Sequence, residues 1–237
     1  MKNEHIVHAF DAELQQLDAL LAKMGKMVKK QQAAALKCFL ASDKIEAKKI
    51  SKGDRKIDLL EQEIVTHATQ IFALRQPMAA DLRTLVASFK IASNLERIGD
   101  HAKNLAKRTK RVGDIPILAE VSGSLQQIGS QIEAMIADAM KAYAKRDADL
   151  AVAVLKRDAD IDSQHKSLIR EVLTYMIEDP TSITAGTELL FIAKNIERSG
   201  DHVTNIAEQV YYIITGRYIE AGRDLSALET EGDAEPT

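Results

Sequence analysis

The chain is poor in residues that make turns, cross-links and stacking surfaces. Its 237 residues include 11 Gly, 4 Pro, 1 Cys, 5 Phe, 5 Tyr and no Trp. A single cysteine excludes a disulfide framework and a thiolate metal site, because each needs several. No stretch approaches the ~18 apolar residues of a membrane helix, and the opening MKNEHIVHAFDAEL lacks the apolar core of a signal peptide. We therefore expect a soluble, cytoplasmic protein.

Charge and apolar content exclude further classes of protein. Apolar residues make up 46% of the chain, charged residues 28%, and the formal net charge is −3. This composition is too apolar for a disordered chain. The near-neutral charge and the scarcity of aromatic rings argue against a nucleic-acid binder. Sparse Gly and Pro predict few turns and long helices.

Apolar residues recur at helical spacing. Between Leu118 and Ala142 they alternate steps of three and four, which is typical of a helix packed in a bundle. Asp43 and Asp147 are candidate helix caps, and the strongest break falls at 112–116. These signals predict six long helices, at roughly 4–41, 44–75, 79–111, 116–146, 148–178 and 183–218.

The chain also repeats itself. LERIGDHAKNLA at 95–106 matches IERSGDHVTNIA at 196–207, and DRKID at 54–58 matches DADID at 158–162. The matched segments occur in the same order, on the predicted second and third helices of each half. The repeat therefore predicts an all-α fold of two tandem three-helix bundles related by internal pseudo-symmetry.

The domain boundaries follow from the repeat and the break. The first bundle is predicted at 1–112 and the second at 116–221. The remaining segment, 222–237, is rich in Asp, Glu and Gly and has little to bury. We expect it to be an acidic, disordered tail.

Each half carries two acidic pairs at i, i+4 spacing, which places both members of a pair within one helical turn. Like charges held so close repel, and a multivalent cation bridging two helices would compensate them. Counted around their helices, the carboxylates lie away from the apolar stripe, so the predicted metal would sit on the bundle surface. The candidate ligands are Asp54, Asp58, Glu96 and Asp100 in the first half, and Asp158, Asp162, Glu197 and Asp201 in the second.

A plainer interpretation competes with the metal site. A single acidic pair on a polar helix face is usually only a solvated surface, but four pairs at matched places favour a site. His101 and His202 each follow an Asp and are turned ~100° from it, so we expect a structural or supporting role for both. Gly99 and Gly200 lie within helices, where Gly costs ~1 kcal/mol relative to Ala. Either a neighbouring backbone or a ligand approaches there.

Three segments carry a family resemblance: RQPMAADLR at 75–83, LERIGDHAKN at 95–104 and IERSGDHVTN at 196–205. With them, nearly the whole chain up to about 218 resembles the PhoU family of phosphate-transport accessory proteins. The resemblance implies two three-helix bundles and multinuclear iron or zinc clusters on the same eight carboxylates. The second half departs from the family pattern at 178–186, where it reads EDPTSITAG.

The resemblance also implies a regulatory role. Similar proteins link the phosphate ABC transporter, through its ATPase subunit, to a PhoR-type sensor histidine kinase. In that role they hold the phosphate-starvation regulon off when phosphate is plentiful and modulate phosphate uptake. They are cytoplasmic, associate with the membrane through these partners and often form homodimers. Carboxylate ligands accept Mn or Mg as well as Fe or Zn.

Two alternatives stay open. The first is a metal-dependent hydrolase in which clustered metals activate water. The second is a purely structural adaptor whose acidic pairs hold no ion. The sequence shows no nucleophile–base pair, phosphate-binding Gly loop or nucleotide fingerprint, so we expect no enzymatic activity.

Overall fold

The computed structural model describes residues 2–109 and 116–219, and within these ranges the chain is helical without a strand. The predicted all-α class is therefore confirmed. The predicted tail at 222–237 and most of the linker at 112–116 lie outside the described residues. The helices are α1 (Lys2–Leu40), α2 (Lys44–Gly53), α3 (Arg55–Arg75), α4 (Ala79–Thr109), α5 (Pro116–Lys145), α6 (Ala148–Lys156), α7 (Asp158–Glu178) and α8 (Ile183–Thr215), with a 3-10 turn at Pro180–Ser182.

Two of the six predicted helices are each interrupted at one residue. The predicted helix 44–75 divides into α2 and α3 at Asp54, and 148–178 divides into α6 and α7 at Arg157. At both points a carbonyl accepts an i+3 hydrogen bond: Ile57 N–H donates to Asp54 O at 2.7 Å, and Asp160 N–H to Arg157 O at 3.2 Å. This 3-10 spacing tightens the turn locally, while the backbone of Asp54 and Arg157 stays in the right-handed helical region. Hydrophobic periodicity is too coarse to reveal it.

The predicted caps before α2 and α6 are confirmed. The carboxylate of Asp43 accepts hydrogen bonds from the backbone N–H groups of Ile45 and Glu46. The carboxylate of Asp147 accepts one from Leu150 N–H at 2.9 Å. Each cap satisfies donors that have no partner in the first turn of a helix.

The two halves pack along their longest helices. Helices α4 and α8 run antiparallel, since Arg108 near the end of α4 pairs with Glu188 near the start of α8. Helices α1 and α5 form a second seam, where Gly129 of α5 lies against Leu36. The buried side chains form one continuous apolar cluster that includes residues of both halves. None of the described helices is long and apolar enough to span a membrane.

Candidate metal centre

Asp54 lies at the base of the first acidic cluster and is buried, with 1% of its surface exposed. This corrects the expectation that all eight carboxylates face outward. Side chains of α1 and α4 cover Asp54, and polar partners on both helices hold its carboxylate. Gln31 Nε2 of α1 donates to Asp54 Oδ1 at 2.7 Å and to the Gly99 carbonyl oxygen at 3.1 Å.

Lys103 bridges two of the predicted ligands. Its ammonium lies 2.6 Å from Asp54 Oδ2 and 2.7 Å from Asp100 Oδ1. These hydrogen bonds raise the pKa of Lys103, so the side chain is a fixed positive charge between α3 and α4. Lys103 was not among the residues predicted from the sequence. The feature that could have indicated it is a basic residue one helical turn after Asp100.

The other carboxylates of the first cluster are half-buried and mutually repelling. Burial, together with the charge of the neighbouring Asp100, raises the pKa of Glu96 to about 7. Burial and Asp54 likewise raise the pKa of Asp58. Glu61 belongs here too, since burial raises its pKa and the charges of Asp58 and Asp100 act on it. The sequence analysis missed Glu61, although it lies one turn beyond Asp58 on the same helix.

The second cluster repeats this arrangement between α7 and α8. Burial, together with the charges of neighbouring carboxylates, raises the pKa of Asp158 to about 6; those neighbours are Asp162, Asp201 and Glu197. Lys194 forms an ion pair with one of these carboxylates, with Nζ 2.6 Å from Glu197 Oε1. It does not reach the other carboxylates, and among the described residues Asp158, Asp162 and Asp201 have no ion pair.

His165 is the fifth member of the second cluster, at the register that Glu61 occupies in the first. It lies seven residues after Asp158, as Glu61 lies seven after Asp54. Burial lowers the pKa of His165, while the Glu197 charge opposes that effect. Its Nε2 atom is buried without a hydrogen-bond partner, as is Glu197 Oε2. Extending the sequence pattern to D-x-x-x-D-x-x-E/H would have found both residues.

These donors fit a divalent metal by their chemistry. Carboxylate oxygens with one imidazole nitrogen suit Mn, Fe or Zn, and the unpartnered His165 Nε2 and Glu197 Oε2 are atoms that an ion would satisfy. In the described part of the chain, however, no three His, Cys, Asp or Glu side chains converge closely enough to hold a metal. Binding would therefore require side chains to rotate. The eight-residue ligand set stays a prediction.

The two glycines within the motifs mark a close approach of neighbouring helices. A Cβ at Gly99 would lie 3.2 Å from Ile57 Cδ1 and 3.4 Å from Asp54 Oδ1. A Cβ at Gly200 would lie 3.5 Å from Ile161 Cγ2. The absence of a side chain at Gly99 therefore lets α3 pack closely on α4, whereas at Gly200 a Cβ would make an ordinary contact with α7.

His101 and His202 lie where α4 crosses α8, between the two clusters. Their rings stack with centroids 5.4 Å apart and planes inclined by 28°. His202 Nδ1 is 2.9 Å from Asn94 Oδ1 on the opposite helix. Burial, together with the neighbouring His202, lowers the pKa of His101 to about 4. Two neutral rings therefore join the halves, which supports a structural role for this pair.

Fold and site together define a class: duplicated helical bundles with one carboxylate cluster in each half. Comparison with known proteins identifies the family. The PhoU domain model matches residues 21–109 and 125–210, one match in each half. The chain belongs to the PhoU family.

Curated relatives match over nearly their whole length. A protein of Caulobacter vibrioides named phosphate-specific transport system accessory protein PhoU homolog is 39% identical over 220 residues, which is 93% of this chain and 96% of that protein. A protein of the same name from Rhizobium meliloti is 41% identical over 216 residues, or 91% of each.

Solved structures share the fold. The crystal structure of PhoU from Pseudomonas aeruginosa matches with a TM-score of 0.84 and 36% identity, covering 88% of this chain and all of that one. The crystal structure of the phosphate transport system regulatory protein PhoU from Streptococcus pneumoniae matches with a TM-score of 0.83 and 29% identity, covering 89% and 99%.

Proposed function

We propose that this protein is an accessory regulator of bacterial phosphate transport. The observation that carries the proposal is family membership over both halves of the chain, with relatives named as accessory proteins of that transport system. The acidic clusters support it, because they recur at matched positions and bring a concentrated charge to the surface of the bundle.

The finer role is repression of the phosphate-starvation regulon when phosphate is plentiful. In this role the protein couples the ATPase subunit of the phosphate ABC transporter to a PhoR-type sensor histidine kinase. It acts in the cytoplasm as a homodimer and meets the membrane through these partners. The family resemblance supports this role.

Metal bound to the acidic clusters would change the charge of the bundle surface that meets a partner protein. Asp158, Asp162, Glu197, Asp201 and His165 would hold an ion in the second half, and the matching carboxylates would do so in the first. When bound, an iron, zinc or manganese ion neutralises the clustered carboxylates. The ligands come from two helices in each half. Whether they hold an ion would decide whether this surface is net negative or neutral when a partner approaches.

A reporter assay tests this function. Glu197→Ala combined with Asp201→Ala is introduced into a bacterial strain whose own copy is deleted, and an alkaline phosphatase reporter is measured in high phosphate. We expect derepression together with reduced metal content of the purified protein. Asp160→Ala is the matched control, because Asp160 is exposed on the same helix as Asp158 and makes no ion pair among the described residues. Unchanged repression and unchanged metal content in the double variant would contradict the proposed role of the cluster.

Partner binding has its own test. The full chain is captured from gently solubilised membranes of cells grown in high and in low phosphate. We expect transporter ATPase and kinase peptides, in amounts that change with phosphate. If neither partner is recovered in either condition, the coupling role is wrong.

One observation favours a second function. The pKa of Glu96 is raised to about 7, and a carboxyl poised near neutral pH is suited to general acid–base chemistry. With clustered metals activating water, the site would then act as a hydrolase. Hydrolysis of phosphate esters or polyphosphate that rises with added Mn, Fe or Zn, and that is lost in Glu96→Gln while the metal content stays unchanged, would establish this function.

A further inference from the structure

The first cluster already contains a cation. The Lys103 ammonium contacts one oxygen of Asp54 and one of Asp100, at 2.6 and 2.7 Å. It therefore bridges α3 and α4 between carboxylates that family resemblance assigns to a metal. Only 25% of its side chain is exposed, so the ammonium is partly screened from water. Gln31 fills the remaining oxygen of Asp54.

The second cluster has no such bridge. The residue matched to Lys103 by the repeat is Thr204, three residues after Asp201 as Lys103 is three after Asp100. The Thr204 hydroxyl donates to the backbone carbonyl of Asp201 at 2.7 Å and so turns away from the carboxylates. Lys194 pairs with Glu197 on its own helix. In the described ranges, no cation links the α7 carboxylates to those of α8.

We propose that Lys103 is the resident cation of the first cluster and that it makes the two clusters unequal, so that a divalent ion binds directly at the second cluster and at the first only by displacing Lys103. The inference rests on metal binding as part of the proposed function, and adds a residue that decides which half is loaded first.

The size of the effect follows from what the incoming ion must break. Displacing Lys103 removes two charge-assisted hydrogen bonds and leaves the ammonium to find new partners. A hydrogen bond to a charged group contributes about 1.5–3 kcal/mol. Loss of even one net bond of this kind lowers the affinity of the first cluster by at least about tenfold.

Exchange of the two matched residues tests the proposal. Mn²⁺ is titrated into metal-free full-length protein, and the free ion is followed by electron paramagnetic resonance. The variants are Lys103→Thr and Thr204→Lys, each of which gives one half the residue of the other. Asp201→Asn serves to assign the tighter sites to the second cluster.

The expected pattern is specific. The wild-type protein binds Mn²⁺ in two classes, and Asp201→Asn removes the tighter one. Lys103→Thr tightens the weaker class at least about tenfold, whereas Thr204→Lys weakens the tighter class by a similar factor. Asp160→Ala leaves both classes unchanged.

Two results overturn the inference in distinguishable ways. If Mn²⁺ binds but Lys103→Thr leaves the weaker class unchanged, Lys103 does not control loading, and the metal role stands without it. If no variant binds Mn²⁺, both this inference and the metal part of the proposed function are wrong, while the reporter assay still decides regulation. If Lys103→Thr fails to fold, Thr204→Lys still tests the proposal, because in that variant Lys103 remains paired with the buried Asp54.

Discussion

Metal-free protein should become more stable when Glu96 loses its charge. Burial and the neighbouring Asp100 raise the pKa of Glu96 from its ordinary 4.5 to about 7 in the folded chain. At about 1.4 kcal/mol per tenfold change in proton affinity, this corresponds to about 3 kcal/mol. Since 19% of the Glu96 side chain is exposed, solvent screening reduces the expected effect to about 1–2 kcal/mol.

The sign of the pH dependence follows from the direction of that pKa. Below pH 4.5 Glu96 is protonated in both folded and unfolded chains, and its burial carries no charge penalty. As the pH rises through 7, the folded chain must also ionise, and that stability is lost. Glu96→Gln should therefore equal the wild type near pH 4.5 and exceed it at pH 8.

Scanning calorimetry in EDTA between pH 4.5 and pH 8 measures this difference. For a chain of this size, about 1–2 kcal/mol raises the Tm by about 3–6 °C. Glu63→Gln is the control, because Glu63 is exposed on α3 and makes no ion pair in the described part of the chain; its effect should stay within about 0.5 kcal/mol. A Glu96→Gln protein that melts lower than wild type at pH 8, or whose gain is the same at both pH values, would refute the reasoning.

Two further predictions concern the seam between α1 and α5. Gly129→Ala should leave the protein about 1–3 kcal/mol less stable than Gly123→Ala, because the new Cβ would lie 2.1 Å from Leu36 Cδ2 and Leu36 would have to shift. Gly123→Ala on the same helix meets no atom within 4 Å and should stabilise by up to ~1 kcal/mol; equal Tm changes for the two would contradict the packing. Tyr143→Phe should lower the free energy of unfolding in urea by about 1–3 kcal/mol, because the buried Tyr143 hydroxyl donates to the Asp18 carboxylate. An unchanged midpoint would show that this bond contributes nothing.

Sequence periodicity was sufficient for the architecture and insufficient for its local turns. Long, regular apolar seams define helices because burial must follow the helical period. The breaks at Asp54 and Arg157 do not disturb the hydrophobic pattern, because each affects only a single turn between two consecutive helices. Periodicity also does not show that Gln31 of α1 and Lys103 of α4 cover Asp54, which is buried and not on the surface as expected.

The repeat identified the carboxylates, but it hid the residues that differ between its copies. A search for identity finds Asp and Gly at matched places and passes over Lys103, whose counterpart is Thr204. The same search passes over Glu61, matched by His165. Their positions beside the carboxylates depend on how α3 meets α4 and α7 meets α8, which is tertiary information.

The differences between the copies fall on charge rather than on packing. The two motif glycines lie against matched helices, Gly99 facing Ile57 and Gly200 facing Ile161, so each half keeps a similar arrangement of carboxylates. Replacing Lys103 by Thr204 removes a bridging cation, and replacing Glu61 by His165 exchanges a carboxylate for a neutral nitrogen donor. The halves also differ in the burial of Asp54 and in the pairing of Lys194 with Glu197, but we expect the loss of the bridging Lys103 to be a main source of any difference in ion affinity. A duplicated bundle can thus keep one scaffold while its two clusters respond to different metal concentrations.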